Sequence, residues 1–498
     1  MKRWICIVLC LLSLTGCTVI SESEPYSPAG TGTGQPDSET VNLEEKGRIL
    51  KPALYFLNAE NRLVAEMRSV AVKQGHNPAE VAVRELLRGP EGQDLNPVAP
   101  DGVTLDSVQT AENVANVYLS GTPGNMAQYD IFVLKYAITN TITDLMAIGY
   151  VNVYFGGMET DLESHPYGTI EKFTGDILEA YNEKRLHYVA EIPETLDPDG
   201  AEQPEELRET TETFETTLYF ISAGGNYILP EVRKVTYENG DYLTGLIAEL
   251  KKGPKDTGAM QSCVPGDIEF LSEPVFASDA DGTSRVRLNF SKRPTLFPYE
   301  DIENETLSYA AVVYSLTGFI PGLLSVDIHV AGTPVSADVF PDGMKRSDFM
   351  ELMGGSIDIY FPLSDSSMLL KVTRSVEQQD VWDARVRLAE LIKGPTADEN
   401  PSAWPAIPAG ITADDISDVY LNQDTLNLNL SRNFADRCRD LSPDGEMSLV
   451  YAITNTLVEM DGVKKVQFLI EGKRAETLAG SLYIYNPFLR NPGLIKEE

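Results

Sequence analysis

Histidine is almost missing from this chain. Four residues, His76, His165, His187 and His329, are spread over 498 positions, and none stands at the spacing of a zinc site or in a nucleophile-and-base arrangement. Cysteine is nearly as scarce, with five in all. Cys6 and Cys10 lie in an apolar amino-terminal run and Cys17 closes it, so only Cys263 and Cys438 remain, which make neither a disulfide framework nor a zinc cluster. There is no Gly-x-Ser-x-Gly elbow and no glycine-rich loop followed by Lys and Ser or Thr, so neither a serine hydrolase nor a phosphate-loop enzyme is indicated. Basic residues are outnumbered, 40 Lys and Arg against 75 Asp and Glu, for a formal charge of −35. Such a surface excludes nucleic acid as a natural partner. Long apolar runs are missing as well, with Thr306 to Val326 as the longest uncharged stretch and the one later segment that competes as a span. Gly318, Pro321-Gly322, Ser308, Ser315 and Thr317 interrupt it, and the reading is a buried helix followed by a strand.

What is present begins at the amino terminus. Lys2 and Arg3 precede an apolar run from Trp4 to Leu14 that is too short to cross a bilayer and has the form of a secretory signal. It ends in Leu14-Thr15-Gly16-Cys17, which resembles the lipobox of bacterial lipoproteins, where the cysteine receives a diacylglyceryl group and becomes the new terminus. Residues 1–16 are thus expected to be a lipoprotein signal peptide, Cys17 the lipidation site, and 17–49 a flexible tether rich in Ser, Pro, Gly, Thr and Glu. Loss of residues 1–16 takes Lys2 and Arg3 and moves the charge to −37. Glu191 to Glu215 is a second stretch of this composition, and with the residues before it makes 166–214 an extension and acidic linker.

Around these stretches runs an internal repeat. Tyr55-Phe56, Tyr219-Phe220 and Tyr360-Phe361 each open a unit, and Gly89-Pro90, Gly253-Pro254 and Gly394-Pro395 follow, with 34 residues from Tyr to Gly every time. Tyr136 to Thr141 and Tyr451 to Thr456 spell the same hexapeptide, Tyr-Ala-Ile-Thr-Asn-Thr. The opening segments (53–57, 217–221, 357–361) are aromatic and aliphatic and predict strands. A helix follows, with Asn77 as N-cap, Pro78 at its first position, Glu80 placed to bond back to the cap, and Gly89-Pro90 as its stop. After Pro100-Asp101-Gly102 come two strands, the second alternating as in Val286, Leu288, Phe290 and Leu426, Leu428, Leu430. A second helix carries the hexapeptide, and a last strand ends at Gly156, Gly332 or Gly472. The order is β-α-β-β-α-β: an α+β fold of three tandem small domains, each a mixed sheet with two helices packed on it. The boundaries read are 50–165, 215–340 and 355–490.

The Tyr-Phe opening, the Leu-x-x-Gly-Pro helix end, the Pro-x-Gly turn, the Thr-Asn-Thr helix and the Gly-ended strand together resemble the GerMN domain. The resemblance covers all three units, with the Thr-Asn-Thr asparagine absent from the middle one. It implies a sporulation and spore germination lipoprotein family that works in extracytoplasmic assembly. No acid, base or nucleophile recurs in a catalytic arrangement, and Ser120, Ser291 and Ser431, which do recur, end strands. Asp279-Ala280-Asp281-Gly282 reads as a hairpin turn, since Phe290 stands where a calcium loop needs its closing Glu. No metal or cofactor is therefore expected. The expected function is a non-enzymatic, lipid-anchored assembly or interaction module on the outer face of the cell membrane, with an extracytoplasmic protein partner or self-association. The alternative is a cell-wall or glycan-binding lipoprotein. Thr139, Asn140, Thr141, Thr454, Asn455 and Thr456 are the shared polar signature; they are expected to bond the preceding turn or a sheet edge, and are also candidates for a partner surface.

Overall fold

The opening strand of each repeat is too apolar to stand alone, and in the computed structural model it is the first half of a hairpin. The structure describes residues 47–496 except 74, 122–125, 163–164, 190–210, 279–283, 295–301, 336–342, 365 and 397–398. The signal peptide, Cys17, most of the tether, most of the acidic linker and the 279–282 turn lie outside the described residues.

The first repeat runs β1 (Gly47–Leu50), β2 (Ala53–Leu57), β3 (Leu63–Met67), β4 (Val70–Lys73), α1 (Pro78–Leu87), β5 (Thr104–Ala111), β6 (Val114–Ser120), α2 (Gln128–Leu145) and β7 (Tyr150–Phe155). It is extended by the short pair β8 (Asp161–Leu162) and β9 (His165–Pro166) and by α3 (Ile177–Val189). The second has β10 (Thr211–Ser222), β11 (Ile228–Glu238), α4 (Tyr242–Leu250), β12 (Met260–Gln261), β13 (Val275–Ser278), β14 (Ser284–Phe290), α5 (Ile302–Thr317), β15 (Leu323–Val330) and β16 (Thr333–Pro334). The third has β17 (Gly354–Pro362), β18 (Leu369–Glu377), α6 (Ala384–Lys393), β19 (Ile416–Asn422), β20 (Thr425–Leu430), α7 (Arg432–Cys438), α8 (Pro443–Val458), β21 (Lys465–Ile470) and β22 (Phe488–Leu489).

The main order is therefore β-β-α-β-β-α-β, one strand longer than the sequence pattern suggested. The added strand pairs antiparallel with the opening one, Tyr55 opposite Ala65, Tyr219 opposite Pro230 and Tyr360 opposite Lys371. It is hard to see in sequence because charged residues such as Glu66, Arg68, Glu231 and Arg233 break its apolar alternation. Two boundaries shift with it. The end of the expected tether forms β1, which pairs with β4, and the end of the expected linker forms the start of β10, which pairs with β11.

A second sheet completes each repeat. Its first two strands are antiparallel and its second and third parallel: β5-β6-β7, β13-β14-β15 and β19-β20-β21. A parallel pair needs a crossover, which α2, α5 or α8 supplies. Each of these helices also packs on its opening strand. Between hairpin and sheet they are buried almost all round, from Ile131 to Ile142 in α2. Thr306 to Val326 is accordingly the body of α5 followed by the start of β15, and no helix among the described residues is long and apolar enough to cross a membrane.

Candidate functional site

The hexapeptide on the second helix meets the opening strand at the Tyr of Tyr-Phe. Thr141 Oγ1 accepts the Tyr55 N–H at 3.3 Å, Thr456 Oγ1 accepts that of Tyr360 at 3.1 Å, and in the middle copy Ser315 Oγ accepts that of Tyr219 at 3.0 Å. A strand N–H facing a helix has no ladder partner, and a hydroxyl one turn away satisfies it. Thr139 Oγ1 donates to the Lys135 carbonyl at 2.8 Å. Asn140 brackets Phe173, its Nδ2 donating to the carbonyl at 2.6 Å and its Oδ1 accepting the N–H at 2.9 Å, while Asn455 Oδ1 accepts the Asn491 N–H. Thr139, Asn140, Thr141, Thr454, Asn455 and Thr456 are all 0% exposed. That corrects the partner-surface expectation for these six residues: Thr141 and Thr456 bond the opening strand, Asn140 and Asn455 the backbone of the following tail and Thr139 its own helix, and all six, Thr454 among them, are buried inside their repeat.

The helix stop holds the second recurrent cluster, one that sequence reading missed. Arg68, Arg233 and Arg374, all from the hairpin's second strand or its end, reach the Gly of Gly-Pro. Their guanidinium groups donate to the Gly89, Gly253 and Gly394 carbonyls at 3.0, 2.6 and 2.6 Å. They lie over the Phe56, Phe220 and Phe361 rings at 5.9, 5.5 and 5.3 Å. They also pair with Glu85, Glu249 and Glu390, each four residues before that Gly. Cation, aromatic face and free helix carbonyls are thereby joined, each favourable to the charge. The same arginine touches both the Tyr-Phe strand and the Gly-Pro stop, which lie 34 residues apart in every copy. The signal that could have found it is an Arg 13 or 14 residues after each Tyr. Burial opposes ionisation of Glu66, but the Gly92 and Glu91 N–H groups and Arg68 outweigh it and hold its pKa below the ordinary value. At Asn77 the cap forms as expected, accepting the Ala79 N–H at 2.9 Å, whereas Glu80 turns to Arg84 instead of back to the cap.

A third cluster is unique to the first repeat. Lys135 Nζ lies 2.6 Å from Glu159 Oε1, both side chains at 0% exposure, and Lys135 stands over the Tyr167 ring at 4.3 Å. Burial pushes the Glu159 carboxyl up to about 7 against the pull of Lys135, and burial brings nearby Lys184 down to about 8. The pair is enclosed, with no open approach to a substrate.

The fourth cluster joins the first two repeats. Asn152 Nδ2 donates to Asn116 Oδ1 and Thr217 Oγ1, both at 2.9 Å, and Asn116 Nδ2 donates to Tyr219 Oη at 2.8 Å. The Thr169 N–H donates to the Glu215 carbonyl. Arg346, buried in the turn after the second repeat, donates to the Tyr314 carbonyl at 2.8 Å and to Tyr219 Oη at 3.2 Å. Its guanidinium sits 4.2 Å from the Tyr314 ring centre and 4.4 Å from that of Tyr154. Cys263 and Cys438 are free and buried, and burial raises both thiols to about 12. Among the described residues no group of three His, Cys, Asp or Glu is placed to hold a metal ion.

The comparisons with known proteins fall on the same three units. A family model described as Germane, sporulation and spore germination, matches residues 53–161, 217–336 and 358–476. The spore germination protein GerM of Bacillus subtilis (strain 168) is 22% identical over 314 residues, which are 61% of this chain and 78% of that protein. Among solved structures, the tandem GerMN domains of the sporulation protein GerM from Bacillus subtilis are 19% identical, covering 57% of this chain and 92% of that one, with a TM-score of 0.22. A putative lipoprotein from Clostridium perfringens is 18% identical over 29% of this chain and 93% of its own, with a TM-score of 0.20.

Proposed function

The chain belongs to the Germane family of sporulation and spore germination proteins, in three tandem copies, and from that premise we propose that it is a lipid-anchored, extracytoplasmic assembly module with no chemistry of its own. Membership supports a role in sporulation or spore germination. The observation that carries the finer reading is where the recurrent side chains go. The hydroxyl on the Tyr N–H and the arginine on the Gly carbonyl are both consumed in building the module. What three copies share is a shape, and three shapes on one chain raise the effective concentration of any weak contact.

Anchoring rests on Cys17 and the lipobox-like residues before it, where acyl chains hold a protein by about 0.8 kcal/mol per buried methylene. The Cys17→Ala protein should leave the detergent phase, and unchanged partitioning would remove the anchor from the proposal. The assembly reading is tested by recovering tagged protein from cross-linked sporulating cells and by incubating purified protein with wall polymers. A specific protein partner or self-association with no turnover is expected; hydrolysis of the polymer would overturn the reading.

One exposed cluster favours the glycan alternative. Tyr483 and Tyr485 stack at 6.0 Å with Arg474 over the Tyr485 ring at 5.4 Å, an aromatic platform of the kind sugars lie on. Co-sedimentation with purified peptidoglycan that disappears in the Tyr483→Ala, Tyr485→Ala protein would favour it over a protein partner.

A further inference from the structure

The first strand of each second sheet is an edge strand, and edge strands invite pairing. The three edges can be aligned through the serines that end their neighbours. Thr110 in β5 faces Ala115, Phe276 in β13 faces Val286, and Leu421 in β19 faces Leu426, each partner five residues before Ser120, Ser291 or Ser431.

Two of these edges are covered, each by the other's repeat. The Thr110 carbonyl accepts from Gln378 Nε2 at 2.8 Å, Glu112 Oε1 accepts from Ser356 Oγ at 2.8 Å, and the start of β17 lies against β5. In return β1 lies against β19, where Arg48 pairs with Asp461 at 2.8 Å and lines a small cavity with Leu421 and Trp382. In both directions the leading end of an opening hairpin takes part, joined on β5 by Gln378 from the turn that follows β18. The first and third repeats thus clasp each other reciprocally.

The second repeat has the same two parts without that arrangement. Among the described residues β13 pairs with β14 alone, and Leu271, Val275 and Phe276 are 56, 57 and 52% exposed. Its own leading hairpin end, at the start of β10, leaves Thr211 and Thr213 exposed. An uncovered edge with a phenylalanine at its centre is costly to leave in water, and the chain already contains the piece that fits it.

We propose that a second copy of this chain fills the site: the start of β10 in each copy lies against β13 of the other, making a two-fold dimer through the second repeats. The contact reproduces between chains the clasp that the first and third repeats make within one. It rests on the assembly reading above and gives that reading a partner and a surface.

The test uses the chain from residue 18 onward, which retains the whole compact unit from Glu45 to Glu498, at about 0.15 M salt so that repulsion between acidic copies is screened. Sedimentation velocity should show a concentration-dependent monomer–dimer equilibrium. Phe276→Asp should raise the dimer dissociation constant at least about tenfold with unchanged circular dichroism, while Trp404→Asp, at an exposed apolar residue elsewhere, leaves it alone. Thr213→Cys with Ala277→Cys should give a reducible covalent dimer more readily than either substitution alone. A chain that stays monomeric at every concentration, a Phe276→Asp protein that dimerises like the parent, or no gain in cross-linking from the paired cysteines overturns the proposal. If the chain is monomeric and still recovers a cellular partner, this inference fails and the assembly reading survives.

Discussion

At the scale of single residues, the fold depends on a few polar side chains with large local effects. Arg374 holds the Glu390 and Gly394 carbonyls and pairs with Glu390 and Glu399, so Arg374→Ala strands two half-buried carboxylates. A loss of about 3 kcal/mol is expected in urea unfolding. Trp382 and Trp404 are the tryptophans of the described residues and both lie in the third repeat, so their fluorescence reports on that repeat. Arg374→Lys should recover little, because an ammonium cannot present the planar fork. Thr456→Val keeps the volume but orphans the buried Tyr360 N–H, and should cost about 1–3 kcal/mol by the same readout. Thr456→Ser should cost clearly less. Glu159 makes a prediction in pH. Its folded pKa, near 7, lies above the 4.5 of a free glutamate, so the stability it contributes is full below 4.5 and is lost as pH rises through 7. The advantage of the parent over Glu159→Gln should therefore shrink between about pH 5 and pH 8 in thermal melts. An equal gap at both would remove Glu159 as a titrating group.

Among elements, the first helix of each repeat shows how far punctuation can be read from sequence. Asn77-Pro78 and Gly89-Pro90 bound α1 because one side-chain oxygen serves a free N–H and one residue turns left-handed, both local matters. Gly394 has φ +77 and ψ 175, a conformation almost reserved to glycine, with only ordinary contacts where a Cβ would stand, so Gly394→Ala should cost about 1–3 kcal/mol from backbone strain alone, checked by urea unfolding. The hairpin's second strand was not legible. Its charges look like loop residues until the helix end they clamp is in place, and that helix end lies 16 to 21 residues away. The hexapeptide was legible as a helix but ambiguous in purpose, since a threonine on a helix reads alike whether it faces a strand edge or a partner.

For the whole molecule, the repeats are not beads on a string. The acidic, Pro-rich composition of 191–210 predicts a protease-sensitive segment, yet Asn116, Asn152, Thr217, Tyr219 and Arg346 bridge the first two repeats across it. Limited proteolysis there should give two fragments that co-elute in size exclusion until denatured. Arg346→Ala, which empties the tyrosine cage, should lower the denaturant concentration at which they separate, while the clasp between the first and third repeats still holds them together in buffer; an unchanged separation point would mean the polar seam contributes little.

The sequence alone determined the number of repeats, their α+β class, the bounds of α1 and, through its motifs, the family resemblance, because each of these is written in short-range chemistry: alternation, caps, stops and a constant interval. It could not decide which polar residues were inside, which strand carried the arginine, or which edge was left open. Those depend on what a side chain meets from elsewhere in the chain, from Gln378 on Thr110 to β1 on β19. Burial is a property of the assembled surface, and a hydrogen bond across the fold leaves no period in the sequence to read.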